Sequence, residues 1–160
     1  MKRYCSRIAV SPTTFTEDTV YQAWCNTDTK SMRLIRMHVQ LDSAEATGTH
    51  NSVYGFARIV GTPSATGADV IVPTRYDNNT EPSLMTCLRK NAGLTMTGVT
   101  IETYFLERSI VSRTTGSAST IDFDHADGFI LLPGEGLCIF ADNTVRDGSG
   151  VFGMLEWGEE

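Results

Sequence analysis

The sequence predicts an all-β fold, an antiparallel β-sandwich that is jelly-roll-like and forms a single domain over residues 1–160. Short runs rich in β-branched and aromatic residues recur along the chain, and clusters of Gly, Pro, Asn and Asp separate them. The clearest run alternates between apolar and polar side chains with the period of a strand. No segment carries the sustained apolar stripe of an amphipathic helix, so we expect strands throughout.

The strands are predicted in order from these runs. They are residues 4–10, 19–25, 33–41, 52–60, 69–74, 84–89, 94–107, 128–132, 136–141 and 151–157. The run 94–107 is longer than most strands, and we expect it to bend or break. Longer loops are expected at 42–51, 61–67 and 77–82.

Alternation is clearest in the run 33–41. It predicts one mostly polar face and one apolar face. The mostly polar face consists of Leu34, Arg36, His38 and Gln40, and the apolar face consists of Ile35, Met37, Val39 and Leu41. Turn signals stand at 91–93 (Asn-Ala-Gly), 133–136 (Pro-Gly-Glu-Gly) and 147–150 (Asp-Gly-Ser-Gly). We expect the strands on either side of each turn to pair antiparallel.

Charge and hydropathy argue against two classes of partner. The formal net charge is −6, and Lys and Arg are scattered singly, so no basic run can follow a phosphate backbone. Nucleic acid is therefore not an expected partner. No stretch approaches 18 uncharged apolar residues, and Met1 to Arg7 contain no apolar signal region. We expect neither membrane insertion nor secretion by the usual route.

Four cysteines lie at positions 5, 25, 87 and 138, without any Cys-x-x-Cys pair. We interpret them as buried thiols, with disulfides or metal ligation as the alternatives. Cys138, inside an apolar run, is the clearest example. A domain of this length buries enough surface to fold without either, so reductant and chelator are expected to leave its melting temperature nearly unchanged.

An acidic segment at 122–128 is the most suggestive polar cluster. Asp122, Asp124 and Asp127 are weak candidates for calcium ligands, because oxygen ligands in a flexible loop suit that ion. The order of an EF-hand loop is missed, since the third Asp falls one position late and no Glu follows at the required spacing. A solvated loop leading into the strand at Gly128 explains the same residues.

No motif predicts catalytic residues or a cofactor. His38, His50 and His125 share no metal-ligand spacing. Ser149 lies in a Gly-Ser-Gly turn without the strand-to-helix elbow of a serine nucleophile. We therefore expect a protein that is not an enzyme, with no catalytic, cofactor-binding or firmly predicted metal site.

Aromatic residues are the last group with two interpretations. They could form a sugar-stacking platform, as in β-sandwich lectins, but aromatic residues in alternating strands usually fill a core or an interface. The group comprises Trp24, Trp157, Tyr4, Tyr21, Tyr54, Tyr76 and Tyr104. We favour the core or an interface.

Two runs are apolar on both strand faces, 129–132 (Phe-Ile-Leu-Leu) and 137–140 (Leu-Cys-Ile-Phe). A small domain has little interior for all of these side chains, so some are expected to contact a neighbouring chain. The sequence thus predicts a homo-oligomer.

The C-terminal end has a distinctive order of elements. Residues 128–140 contain an apolar strand, the Pro-Gly-Glu-Gly turn and a second apolar strand; Asp142-Asn143-Thr144 and the strand ending at Trp157 follow. This order resembles the small β-sandwich virion proteins of tailed bacteriophages. The resemblance covers residues 128–157 and carries no catalytic residues.

The resemblance implies a virion structural protein, most specifically a capsid decoration (cement) protein. Such proteins clamp the capsid exterior as homotrimers. The implied partners are therefore the major capsid protein of a phage head and further copies of this chain. The implied location is the capsid surface, after synthesis in the host cytoplasm. A tail, fibre or baseplate module and a carbohydrate-binding module are the alternatives.

Overall fold

In the computed structural model, the described residues are 1–11, 19–43, 52–77, 80–111, 118–141 and 149–159. The backbone alone is described for 41–43, 52–53, 103–111, 118–128, 141 and 149. Every regular element in these ranges is a strand: β1 (Lys2–Val10), β2 (Val20–Asn26), β3 (Met32–Ser43), β4 (Ser52–Val60), β5 (Asp69–Val70), β6 (Thr74–Arg75), β7 (Met85–Arg89), β8 (Thr100–Val111), β9 (Ala118–Leu131), β10 (Glu135–Ala141) and β11 (Ser149–Glu159). The described part of the chain contains no helix with the length and apolar character needed to span a membrane.

The strands form two antiparallel sheets that pack against each other. Sheet A has the order β6-β1-β11-β3-β9, and sheet B has the order β5-β7-β2-β10-β4-β8. The eight long strands pair from the two ends of the chain inward, as β1 with β11, β2 with β10, β3 with β9 and β4 with β8. These pairs alternate between the sheets, which is the winding of a jelly roll. The predicted all-β sandwich is confirmed.

The predicted hairpins at 91–93 and 133–136 were wrong. Pro133 and Gly134 do form a tight turn, in which the amide of Glu135 donates to the carbonyl of Leu132 at 3.0 Å and Gly134 has a φ of 81°. The turn carries the chain from β9 in sheet A to β10 in sheet B instead of closing a hairpin. Likewise β7 and β8, on either side of the Asn-Ala-Gly turn, are not neighbours.

The third predicted turn, at 147–150, lies partly outside the described residues. The strands on either side of it, β10 and β11, belong to different sheets, so their predicted pairing was wrong as well.

The predicted strand 69–74 is instead two short strands in different sheets. β5 pairs with β7 at the edge of sheet B, whereas β6 pairs with β1 at the edge of sheet A. Between them the amide of Ile71 donates to the carbonyl of Cys87 at 2.9 Å. Pro73 cannot donate to a sheet ladder, which favours a break there. We call residues 69–76 the bridge, because they connect the two sheets along one side of the sandwich.

The main core lies between the sheets and contains most of the large aromatic side chains. Trp24 and Trp157 are both fully buried there. The rings of Tyr4 and Trp157 stack with centroids 6.2 Å apart, and the indole of Trp24 donates to the Ser6 hydroxyl at 2.5 Å. The indole N–H of Trp24 therefore has a partner inside the core.

A second core covers the outer face of sheet B. The segments 61–68 and 90–99 fold across this face, where the amide of Ser64 donates to the carbonyl of Thr95 at 3.0 Å. The buried members are Val20, Ala23, Cys25, Ala57, Ile59, Leu88, Leu94, Cys138 and Phe140, with Ala68, Met96 and Val99 packed against them. Part of the predicted strand 94–107 thus serves as cover, and β8 begins only at Thr100.

This second core removes one of the two sequence-based reasons for expecting an oligomer. The apolar run 137–140 is buried on both faces within one chain, because Leu137 and Ile139 face the main core while Cys138 and Phe140 face the second. These residues therefore need no neighbouring chain to cover them. In the other run, Leu131 is buried, whereas Ile130 and Leu132 are 44% and 51% exposed.

Candidate functional site

The predicted calcium candidates lie in a strand and not in a loop, which corrects the sequence-based expectation. The backbone of Asp122 pairs with His38, and that of Asp124 pairs with Arg36. The ladder is irregular after Asp124, because its next paired residue is Phe129, and Asp127 lies in this irregular stretch. Their side chains fall outside the described atoms, and the described side chains include no cluster that could hold a metal ion. Asp122, Asp124 and Asp127 stay weak candidates for calcium, and folding without a metal stays the prediction.

The cysteines are free thiols, and three of them are deeply buried. Burial raises the pKa of Cys25 and of Cys138 to about 12, so neither is ionised near neutral pH. Cys87 is buried too, and Cys5 is half-buried at the outer face of sheet A. These thiols pack as small apolar side chains, as the sequence predicted for Cys138.

The aromatic residues lie mainly in the core. Both tryptophans, together with Tyr4, Tyr21 and Tyr54, are at most 1% exposed. Tyr76 is 51% exposed, and the side chain of Tyr104 is outside the described atoms. The prediction that aromatic residues fill the core is confirmed for these five. They are not available to stack on a sugar.

The bridge exposes large apolar side chains. Val72 is 81% exposed and Val70 is 65% exposed, whereas Ile71 between them packs against the main core. Alternation in an extended segment thus turns every second side chain outward. Sequence reasoning did not find this surface, because an apolar run by itself does not say which side chains another segment will cover.

Ion pairs hold the far end of the bridge in place. The Arg75 guanidinium contacts Glu81 at 2.9 Å and Asp77 at 2.6 Å, and it lies over the Tyr4 ring at 5.9 Å. Lys2 also pairs with Glu81, and its hydrogen bond lowers the pKa of that carboxyl below the usual value. Arg75 therefore connects the bridge both to the core and to a charged rim.

The near end of the bridge is held by sheet B. Asp69 pairs with Arg89 on β7 at 3.0 Å, and β5 adds backbone bonds to the same strand. The exposed valines consequently lie on a segment that is fixed at both ends. A fixed apolar segment loses less conformational entropy when it binds a partner than a free loop would.

A groove of about 350 Å³ runs beside the bridge on the edge of sheet A. Its walls are Cys5, Ser6, Arg7, Ile71, Val72, Thr74, Gly153 and Met154. The Tyr76 hydroxyl lies 3.8 Å from the Met154 sulfur and 3.3 Å from Glu156, so Tyr76 and Val72 flank the same methionine. We call Val72, Tyr76, Met154 and the groove the bridge surface.

Charged groups surround the bridge surface. Arg3 lies 3.7 Å from Glu156, and its carbonyl accepts a hydrogen bond from the Tyr76 amide at 3.2 Å. Burial and the nearby Glu156 carboxylate raise the pKa of Tyr76, so its hydroxyl stays protonated and can donate. An apolar centre with a polar rim is the usual composition of a protein-binding patch.

Comparison with known proteins gives no match for this chain, whether with protein-family models, with curated proteins or with solved structures.

Proposed function

We propose that this protein is a non-enzymatic structural component of a virus particle, and specifically a decoration protein on the head of a tailed phage. The observation that carries the proposal is the bridge surface. Val72 is 81% exposed on a segment fixed at both ends, and Tyr76 beside it is half-exposed. Fixed apolar and aromatic side chains within a charged rim suit contact with another protein.

The fold supports the same proposal by analogy. Eight-stranded jelly rolls are used in viral capsid domains and in lectins. Among the described aromatic side chains both tryptophans are buried, so the lectin interpretation has little support from them. Fold analogy alone does not establish function, and the bridge surface is what separates the two interpretations.

The proposed partners are two further copies of this chain and the major capsid protein, at the outer surface of the head. A homotrimer would present three bridge surfaces in a fixed arrangement. Once one surface contacts the lattice, the other two bind at high effective concentration, so weak single contacts give stable attachment. Binding to the closed shell alone would also stabilise that shell by mass action.

The test compares binding of the purified protein to undecorated mature phage heads and to soluble capsid protein. We expect co-sedimentation with heads, little binding to free subunits, and a higher melting temperature for decorated heads. Equal binding to both forms, or no binding to heads, would contradict the proposal. Sedimentation as a 17.5 kDa monomer would contradict the trimer.

A pair of variants locates the contact. Val72→Asp places a charge on the bridge surface and should abolish head binding without unfolding the protein, because this side chain is 81% exposed. Leu132→Asp is the matched control, since Leu132 is 51% exposed in the turn between β9 and β10. Loss of binding in the control and not in Val72→Asp would assign the contact to that turn.

A further inference from the structure

Strand β1 lies near the edge of sheet A and is only partly covered there. On one side it pairs with β11 along its whole length, from Lys2 to Val10. On the other side β6 covers only Tyr4 and Cys5. Beyond Cys5, no strand in the described part of the chain runs beside β1 on this side, which we call the open edge.

The open edge presents the peptide groups of alternate residues. The carbonyl of Arg3 points to this side, because it accepts a hydrogen bond from the Tyr76 amide next to β6. Since peptide groups alternate along a strand, those of Arg7 and Ala9 point the same way. Such groups are a template for pairing with another strand.

The side chain of Gln22 forms hydrogen bonds with these peptide groups of β1. Its amide nitrogen donates to the carbonyl of Arg7 at 2.8 Å, and its amide oxygen accepts from the amide of Ala9 at 3.3 Å. One carboxamide thus makes the same two types of hydrogen bond that a neighbouring strand would make. Gln22 is fully buried, so water does not compete for these bonds.

Two further side chains continue the same row of bonds. Arg89 donates to the carbonyl of Ala9 at 3.3 Å, and its guanidinium also pairs with Asp69 at 3.0 Å. The side-chain oxygen of Asn91 accepts from the amide of Ser11 at 3.1 Å. Gln22 and Arg89 are direct cross-strand partners in sheet B. This one residue pair therefore supplies most of the side-chain hydrogen bonds to the open edge of β1.

We propose that Gln22 and Arg89 form an edge cap that keeps β1 from pairing with β1 of a second copy of this chain. The latent partner is the same strand, antiparallel, about a two-fold axis at Ile8. In that register Arg7 of one copy lies opposite Ala9 of the other, and their backbone groups exchange hydrogen bonds in place of those that the cap now makes. The two Arg7 side chains are diagonal neighbours and not directly opposite each other, so their like charges weaken this register less than a directly opposed pair would.

A groove borders one end of the open edge. The groove of about 350 Å³ lies beside Cys5, Ser6 and Arg7, at the place where β6 ends. Arg7 is exposed and Ala9 is half-exposed, so these side chains of β1 lie on a face that solvent reaches. Pairing would require that Gln22 and Arg89 release the backbone of β1 and that both side chains move away from the open edge.

Replacement of the cap tests the proposal. Gln22→Leu removes both carboxamide bonds at nearly constant volume. Sedimentation velocity from micromolar to millimolar concentration should show association beyond the state of the unaltered protein, by a factor of two in mass. Gln40→Leu is the matched control, because Gln40 is exposed on the outer face of sheet A, and it should not change the mass.

A second substitution shows whether the association uses β1. Ala9→Pro removes the amide that a partner strand would need while keeping the ladder to β11, and proline is tolerated on an open edge. Gln22→Leu combined with Ala9→Pro should return to the mass of the unaltered protein. Association that persists in the double variant would overturn the proposal.

Stability measurements separate pairing from unfolding. Each variant is melted first, and only folded variants are compared by mass. A folded Gln22→Leu protein that keeps the mass of the unaltered chain overturns the proposal. Should Gln22→Leu fail to fold, Arg89→Met releases the Ala9 carbonyl and also breaks the ion pair with Asp69, and the same two outcomes decide with that variant. The proposal does not rest on the proposed function.

Discussion

Glu159 shows how a buried charge is accommodated near the end of β11. Glu159 is 3% exposed, and its side-chain oxygen accepts hydrogen bonds from the Ser83 hydroxyl at 2.5 Å and from the Trp157 indole at 3.0 Å. The amide of Leu84 adds a third donor at 3.1 Å. A carboxylate with several donors can stay inside a protein, and here it joins β11 to the segment that leads into β7.

Tyr54 is the opposite case in the same core. It is fully buried, and its hydroxyl has no hydrogen-bond partner among the described atoms. Burial raises its pKa, so the group stays a neutral phenol. An unpartnered hydroxyl contributes a desolvation cost that a phenyl ring would avoid.

We therefore predict that Tyr54→Phe leaves the free energy of unfolding unchanged within about 0.5 kcal/mol or raises it. Equilibrium unfolding in urea measures this. Tyr4→Phe is the control, because the Tyr4 hydroxyl lies 3.4 Å from the carbonyls of Glu81 and Pro82, and we expect it to cost about 1 kcal/mol. A loss of more than about 1 kcal/mol in Tyr54→Phe would show that the hydroxyl has a partner.

At the scale of elements, β11 is the strand that joins the two halves of sheet A. It pairs with β1 on one side and with β3 on the other, and Gly153 lies opposite Ile8 and Val39. A Cβ at Gly153 would overlap the carbonyl oxygen of His38 on the neighbouring strand. The backbone of β3 cannot move away without breaking its ladder, so only glycine fits here.

Gly153→Ala should accordingly lower the free energy of unfolding by about 2–3 kcal/mol, the upper part of the range of about 1–3 kcal/mol that is typical of overpacking. Gly158→Ala is a control in the same strand. The three atoms nearest its new Cβ all belong to the Met1 side chain, which can rotate away, and we expect a loss below about 1 kcal/mol. Equal losses in the two variants would show that β3 and β11 can separate at Gly153 without cost.

At the scale of the whole molecule, pairing is almost entirely between distant parts of the chain. Lys2 pairs with Glu159, and none of the strand pairs in the two sheets joins consecutive strands. The loops between partners must therefore close before their contacts stabilise the fold. Folds dominated by such pairings refold slowly.

We predict that refolding after dilution from denaturant takes milliseconds to seconds, as for other sandwiches rich in non-local pairs. Stopped-flow fluorescence of the two buried tryptophans measures it. The described cysteines are free, so the rate should be the same with and without reductant. Complete refolding in microseconds would mean that local contacts dominate the transition state.

The sequence by itself determined most of the strands and one of the turns. Runs rich in β-branched and aromatic residues gave most strand positions closely, and β4 at Ser52–Val60 matches its prediction residue for residue. The exceptions are the predicted strands 69–74, 94–107 and 128–132, the last of which is only the end of β9. The Pro133-Gly134 turn was also evident, because proline fixes one dihedral angle and glycine accepts the positive φ of 81° that follows. These features depend on a few neighbouring residues, which is why the sequence is sufficient for them.

The sequence only partly determined which side chains of β3 face the core. Leu34 was assigned to the polar face of β3, yet it is 1% exposed and faces the core. In the ladder between β3 and β11, Leu34 pairs with Trp157 and Arg36 with Glu156, so Ile35 is the bulged residue where the two faces exchange. A bulge depends on the partner strand, which the local pattern does not contain.

Only the tertiary structure decided which strands pair and what covers their faces. The run 137–140 is apolar on both sides, a pattern that a neighbouring chain or the same chain could satisfy, and here the segments 61–68 and 90–99 cover it. Gln22 likewise looks like any polar residue in a strand, although it bonds to the edge of β1 in the other sheet. Strand pairing and side-chain capping join groups far apart along the chain, whereas periodicity and turn chemistry report only on near neighbours.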